Sequence, residues 1–541
     1  MPRTFYKTGA PRHQPQLLPA RVEDYVGPDN VVRAIEAYVA TLDLAALNFR
    51  HAAREGGGGG QPPYAPGDLL KLYLYGYLNQ IRSSRRLERE AGRNIELIWL
   101  LRGLMPGYRT IAAFRSTNAA PLRQANRDFV IMLRALDLIG GETVAIDGAF
   151  FDANASKASI VTAKRLAEQV AALDARIEAY GAQLDANDAA EADELGGHAR
   201  PGEDVAAKVA ALQARRAQAA ADAARLAANG ATQLSRTDPD ARQLTKHGQS
   251  VAGYNVQAAV DDKHKLIVAA EAVSDGNDTG QLHAMAQAAA AAMGSATLTA
   301  IADSGYFNGE TIKACEDSAI TPFVPEPRRG RQSEADGRLG LDAFAYDDAA
   351  DVYRCPAGAA LRPRGARAED VTGKRRIRYA SAAADCAACP LRARCLSAKA
   401  QRRVIERWEH EAVLERHRAR MADGAPMMRR RKALAEHPFG TLKCRAGYRH
   451  FLVRGLDKVR GELGLMVLCY NFTRVLNIVG IERLLAWLAA RCFWCAWRLR
   501  GAGVAAMDGA MRRLARMIQP SHHSLRWRAR RTAIMAACGS G

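Results

Sequence analysis

The chain has 541 residues, enough for two to four domains and a sizeable buried core. Its 48% hydrophobic and 25% charged content is ordinary for a soluble protein, but 77 Lys and Arg stand against 57 acids, for a net charge of +20. That surplus favours a polyanionic partner, of which nucleic acid is the commonest, although a solvated basic surface would give the same count. The opening Met1-Pro-Arg-Thr-Phe-Tyr-Lys has no apolar core of a secretory signal. The apolar stretch Leu484–Ala490 stops at Arg491, too short to span a bilayer. The expectation is therefore a cytoplasmic protein without membrane contact, whose ten cysteines are free thiols or metal ligands rather than disulfides.

Residues 1–135 read as a helical domain, interrupted by a flexible five-glycine run, Gly56 to Gly60. Asp68 is placed to cap a helix carrying Leu69, Leu70, Leu72, Tyr73 and Tyr77. Ser83-Ser-Arg85-Arg86-Leu-Glu88 follows, then an apolar helix from Ile95 to Leu101, then a third opened by Arg109-Thr110. Short helices with interspersed arginines suit a helix-turn-helix-like DNA module, and equally a plain helical bundle. Arg85 and Arg109 are the candidate DNA contacts of this part.

Thr143-Val-Ala-Ile-Asp147-Gly-Ala-Phe150-Phe151 is a β-type run enclosing one acid, which is costly to bury without a partner or a metal. From 161 to 235 the pattern changes. Leu166, Val170, Leu173, Ile177, Tyr180 and Leu184 keep heptad spacing, and Val205, Val209, Leu212, Ala219 and Leu226 resume it after a Gly196-Gly197 turn. This predicts an antiparallel helical hairpin inserted into the surrounding domain; a coiled-coil dimer arm is the competing reading. Two strands, Gly253–Val260 and Leu266–Val273, flank a polar turn. A loop at Asp275–Thr279 can cap an Ala-rich helix over 280–293. A further strand, Leu298 onward, ends on Asp303. Residues 326–405 are a cysteine-rich segment, 406–480 are helical with a basic run from Met427 to Lys443, and 481–541 carry little pattern and are expected to be a poorly ordered basic tail.

Two strand-end aspartates and a helix-borne glutamate are what a two-metal phosphoryl-transfer site needs, because two hard divalent ions can hold the attacking and leaving oxygens of an in-line displacement. A lone strand-end aspartate more often caps or turns. Context adds to the reading. Ala145-Ile-Asp147-Gly-Ala-Phe-Phe151 with Asn154-Ala-Ser-Lys157, Asp238-Pro-Asp240-Ala-Arg242, Gly253-Tyr-Asn-Val-Gln257, Ala302-Asp303-Ser-Gly-Tyr306, Glu436-His-Pro-Phe-Gly-Thr-Leu-Lys443 and Tyr470-Asn471-Phe-Thr-Arg474 stand in this order along the chain. Upstream are Tyr75-Gly-Tyr77, Ser83 to Glu88, and Arg109-Thr110 to Phe114-Arg115. Jointly these blocks resemble the DDE transposases of bacterial insertion sequences, among the IS-four and IS-five types and nearest the eleven-eighty-two group, over about residues 15 to 480.

The resemblance implies an α/β fold: an RNase H-like mixed-sheet core (140–160, 236–325 and 406–480) behind a helical N-terminal domain (1–135), with a helical-hairpin insertion (161–235) and a cysteine-rich insertion (326–405). It implies Asp147, Asp303 and Glu436 as catalytic carboxylates on Mg²⁺ or Mn²⁺, Lys443 as a contact to transposon-end phosphate, and a homodimer on double-stranded DNA bearing terminal inverted repeats and target. Many relatives carry a tyrosine and an arginine upstream of the glutamate; here Arg429 and Lys432 stand there, keeping the positive charge. Glu462, on the next helix, is the rival third carboxylate. Two other readings share these features: a non-catalytic DNA-binding relic or repressor, and a metal-dependent nuclease without strand transfer.

Cys355-Pro-Ala-Gly and Cys386-Ala-Ala-Cys389-Pro-Leu-Arg-Ala-Arg-Cys395 are candidate zinc ligands, though the spacing is unlike standard fingers. An iron–sulfur cluster uses the same ligands, and unliganded thiols fit too. Arg362, Arg364, Arg367, Lys374, Arg375, Arg376 and Arg378 suggest that this segment also touches DNA. Cys492-Phe-Trp-Cys495 reads as packing.

Overall fold

The computed structural model describes residues 21–50, 62–193, 202–228, 230–246, 248–327, 337–368 and 374–498. The glycine run, the Gly196-Gly197 turn and residues 499–541 lie outside them. The chain divides into two compact units: Met1–Gly140, Gly148–Gly276 and Glu436–Gly541 form the first, Gly141–Asp147 and Asn277–Ala435 the second.

Thirteen strands are described, β1 Thr143–Asp152, β2 Ile160–Thr162, β3 Gln233–Ser235, β4 Arg242–Lys246, β5 Gln249–Asp261, β6 Ile267–Val273, β7 Leu298–Ile301, β8 Ile320–Phe323, β9 Ala345–Asp347, β10 Val352–Arg354, β11 Ala360–Ala368, β12 Arg375–Ala380 and β13 Val404–Trp408. Hydrogen bonding runs β4–β5–β1–β7–β8 with β6 on β5, so antiparallel and parallel pairs share one mixed sheet. The fold is therefore mixed α/β.

In the first unit the N-terminal part is helical, as its pattern predicts: Val31–Ala40, Pro66–Leu78, Ser84–Ala91, Ile95–Leu100, Tyr108–Thr117 and Ala119–Ala135. Asp68 does not cap. Ala65 takes that position, and Asp68 is buried inside the helix, paired with Lys71 and Arg102. The axis of the unit is the helix Leu456–Val479. It is long and apolar enough to cross a membrane, yet most of it is buried, against Ala119–Ala135, Pro66–Leu78 and β6. Gly461 and Gly464 make this packing close: a Cβ at Gly461 would stand 2.5 Å from the Ala119 Cα. Phe129, Phe472 and Tyr38 meet at the centre, edge-on or tilted, with ring centroids 5.1 to 6.0 Å apart.

Three sequence blocks lock this unit together. Asp238 and Asp240 cap the long helix: Gly455 N–H donates to Asp238 Oδ1 at 3.0 Å and Leu456 N–H to Asp240 Oδ2 at 2.8 Å. Two carboxylates at a helix N-terminus satisfy orphan donors and oppose the macrodipole. Asn471 pairs with the backbone of Ile267 through both its amide atoms, and Tyr470 and Arg474 donate to the carbonyls of Lys265 and His264. Gly253 lets β5 approach β1, since a Cβ there would lie 2.2 Å from the Phe151 carbonyl oxygen.

Helices Ala163–Asp193 and Gly202–Ala228, over the stretch expected to be a hairpin, pack against each other. Leu166, Ala219 and Leu226 bury with Val161 and Leu234 at its root. Residues 481–498 differ from expectation. Ile481–Arg498 is a helix with Leu484, Trp487 and Leu488 buried, because its apolar face packs on Val31–Ala40.

In the second unit, the first half of β1 pairs in parallel with β7, and β7 with β8, flanked by helices Leu282–Met293 and Gly309–Asp317. The Asp275–Thr279 loop contributes no side-chain cap to Leu282–Met293. The cysteine-rich segment is a five-stranded antiparallel sheet, β13–β12–β11–β10–β9, which local pattern does not reveal; it extends to Trp408, so the helical part begins only at Glu411.

Candidate active site

β1 and β7 are parallel neighbours whose register pairs Ala145 with Ile301. Asp147 and Asp303 each lie two residues further on, so one parallel register carries both carboxylates to the same end of the two strands. Adjacent strands are about 4.8 Å apart, which leaves the two side chains within reach of one ion. Asp303 also opens a short turn, Ser304–Tyr306, and accepts from Gly305 N–H at 2.9 Å. The carboxylates are 18% and 39% exposed, so water and ions reach them.

One cation bridges them. Arg431, on helix Ala425–Gly440, places Nη2 at 3.3 Å from Asp147 Oδ1 and 3.2 Å from Asp303 Oδ2. Its orientation follows from packing: Leu434 and Ala435, the next turn of the helix, bury against Ala145 of β1. A further carboxylate stands beside the pair. A Cβ at Gly305 would meet Asp303 Oδ1 at 3.0 Å and Asp278 Oδ2 at 3.8 Å. Beneath lies Tyr306, fully buried, whose phenol is held protonated first by burial and then by Asp278, Asp147 and Asp303. Sequence reading missed Asp278 and Arg431. The first sits in a loop that resembles any polar turn, and the second is one of three consecutive arginines.

The donor set, accessible oxygens with a guanidinium between them, fits a hard divalent ion. Among the described residues no three His, Cys, Asp or Glu already stand at coordinating spacing. Glu436 is exposed on helix Ala425–Gly440, five residues after Arg431. Arg429 and Lys432, seven and four residues before it, are exposed and fall on its face of the helix. Lys443 is not in that helix. It lies in one wider, π-type turn, Thr441–Arg445, where its ammonium donates to the Phe150 carbonyl at 2.6 Å and covers the Phe151 ring at 4.7 Å.

Glu462, the rival carboxylate, is excluded from metal chemistry by its partners. It is fully buried and accepts from Tyr77, Arg82 and the backbone of Leu452, with Arg115 at 3.7 Å. Burial opposes its charge, but Arg115, Arg82, Tyr77 and Leu452 more than offset that and hold its pKa below the usual range. Arg115 thus serves the interior rather than DNA. Arg85 and Arg109 are exposed and flank Tyr108, at 5.3 and 5.9 Å from its ring centroid.

Residues 354–476 match a family described as Transposase DDE domain, and residues 20–117 match one described as Transposase domain (DUF772). The first match takes in β11, β12 and β13 and the four cysteines, as well as Glu436, Lys443 and the Leu456–Val479 helix up to residue 476. No curated protein matches. Among solved structures, the piggyBac transposase synaptic complex with hairpin DNA is similar at 9% identity and a TM-score of 0.26, over 90% of this chain and 79% of that one.

Proposed function

We propose that this chain is a DNA transposase of the DDE class, which cleaves at the ends of a mobile element and joins them to target DNA. The observation that supports it most is the aspartate pair, Asp147 and Asp303, delivered by one strand register to one cation. The two family matches support the same class.

In this reading Asp147 and Asp303 hold divalent metal, Mg²⁺ or Mn²⁺, with Glu436 as the third ligand; the assignment of Glu436 rests on its sequence motif. Bound metal would lower the pKa of water and stabilise charge on phosphorus oxygens. The chain's own groups supply the rest. Arg431 neutralises the aspartates while no other cation is bound. Tyr306, buried and protonated, stands next to the carboxylates without adding charge to them. Arg429, Lys432, Lys443, Arg85 and Arg109 contribute phosphate contacts, which position the duplex without reading its sequence. No serine or tyrosine nucleophile is required, since a 3′-hydroxyl of DNA attacks the target.

The test is cleavage and strand transfer on DNA carrying the element's own flanking ends, with Mg²⁺ or Mn²⁺. Wild type cleaves and joins; Asp147→Asn, which keeps shape but loses charge, does neither. Cleavage without joined products would make the protein a nuclease. Binding without cleavage by wild type would make it a DNA-binding relic. Cleavage surviving Asp147→Asn would overturn the site.

A further inference from the structure

We infer that Cys355, Cys386, Cys389 and Cys395 form a structural zinc site that closes the five-stranded sheet of the second unit. Cys386, Cys389 and Cys395 lie within one ten-residue stretch and Cys355 precedes it on another strand end, and all four line one cavity of about 260 Å³, together with Leu361, Ser381 and Leu396. None is in a disulfide.

Each ligand sits on a tight turn of the kind that presents sulfur. Cys355 follows β10. Its N–H donates to Ala359 O at 2.9 Å, and Gly358 N–H donates back to Cys355 O at 2.8 Å. Gly358 has φ +87°, which a side chain would strain, so the Cys-Pro-Ala-Gly sequence is a turn built around its cysteine. Cys386 and Cys389 lie at the end of helix Ala383–Ala387, and Arg392 N–H donates to Cys389 O at 3.0 Å. Cys395 ends the short helix Arg392–Cys395. The paired turns are a framework for four sulfurs around one tetrahedral ion.

The core of the sheet is Phe344, Tyr353, Leu361, Tyr379 and Ile405, with Leu339, Leu341, Tyr346 and Ile377 packed against it and Cys355 and Cys395 in contact with the same cluster. A metal held by the cysteines would tie the turns that carry them to this core. The sulfurs are not yet at coordinating spacing. Closing on zinc takes side-chain rotations within the cavity; Cys386 Sγ now rests 3.1 Å from Ser381 Oγ.

Binding breaks four S–H bonds, forms four S–Zn bonds and releases four protons to solvent, leaving two net negative charges. Two guanidiniums are already fixed beside them: Arg392 donates to Cys386 O and Arg403 to Cys395 O. The site does not depend on the transposase reading, because none of its residues belongs to the aspartate pair.

The experiment is elemental analysis of the full-length protein purified under reducing conditions, with Co²⁺ exchanged for the native metal. About one zinc per chain is expected, with intense sulfur-to-cobalt charge-transfer absorption that Cys389→Ser weakens and Cys444→Ser, at an exposed cysteine outside the cavity, leaves intact. If Cys389→Ser does not fold, thiol titration of native wild type decides. Four thiols should become reactive only after chelation. Zinc well below one per chain, four thiols equally reactive with and without chelator, or an iron–sulfur spectrum would each overturn the inference.

Discussion

Two carboxylate–arginine clusters of this protein look alike in composition and differ in what they can do. Glu462 is enclosed by Arg82, Arg115 and Tyr77, with both oxygens occupied and no exposure. Asp147 and Asp303 share one arginine at 3.2–3.3 Å and remain open to solvent. A buried carboxylate whose oxygens are all spoken for is a structural element, costly to disturb and useless to an ion. A solvent-accessible pair bridged by an arginine can exchange that partner for an ion. Exposure, rather than the presence of an acid on a core element, separates the two clusters.

That contrast can be broken at either end. The largest effect belongs to the open pair: Asp147→Asn and Asp303→Asn are expected to lower DNA cleavage by about a thousandfold or more, with thermal unfolding unchanged. A drop in melting temperature comparable to the activity loss would mean that the pair is structural. At the closed cluster the balance reverses. Glu462→Gln leaves two buried guanidiniums uncompensated and should cost about 3–5 kcal/mol of stability in denaturant unfolding. Cleavage per folded molecule should persist; its disappearance from well-folded protein would restore Glu462 as a candidate ligand.

A smaller effect tests whether Arg431 holds the place of an ion. Arg431→Ala should tighten Mn²⁺ binding without DNA by up to about fivefold, read by titration of free Mn²⁺. Unchanged affinity would show that the guanidinium does not compete. The smallest effect is a pH dependence. His417 is buried, hydrogen-bonded to Val324 O and close to Arg420, and burial depresses its pKa below 6.5, with Arg420 adding to this. The unfolded chain therefore binds this proton more readily. Stability from this group is full above pH 6.5 and declines as pH falls from there toward the lower folded pKa. Melting curves of wild type should drop over that window more than those of His417→Gln; parallel curves would remove His417 as the cause.

The sequence made some of this legible and concealed the rest for physical reasons. Asp147 stood out because Val144, Ala145 and Ile146 form an apolar run around it, and a period of seven made the hairpin visible from Leu166 onward. The cysteine-rich sheet stayed hidden because β11 reads Ala-Leu-Arg-Pro-Arg-Gly-Ala-Arg-Ala, a poor strand by composition that exists through its pairing with β10 and β12. Arg431 could not be told from Arg429 or Arg430, since its direction depends on Leu434 and Ala435 meeting Ala145. The Glu462 cluster joins residues more than 340 positions apart, a separation that leaves no local trace. The helix over 481–498 was obscured by interspersed arginines that lie beside its apolar stripe.

Asp238 and Asp240 carry a consequence for genetics. They touch no candidate chemistry, yet one helix start depends on both. In a mutant screen scored by movement of an element, substitutions at these capping aspartates would give the same empty plates as substitutions at Asp147 or Asp303. Colonies alone would credit this protein with five essential acids once Glu436 is included. On the proposed function, only a parallel count of soluble protein would sort them into two that build the scaffold and three assigned to the chemistry.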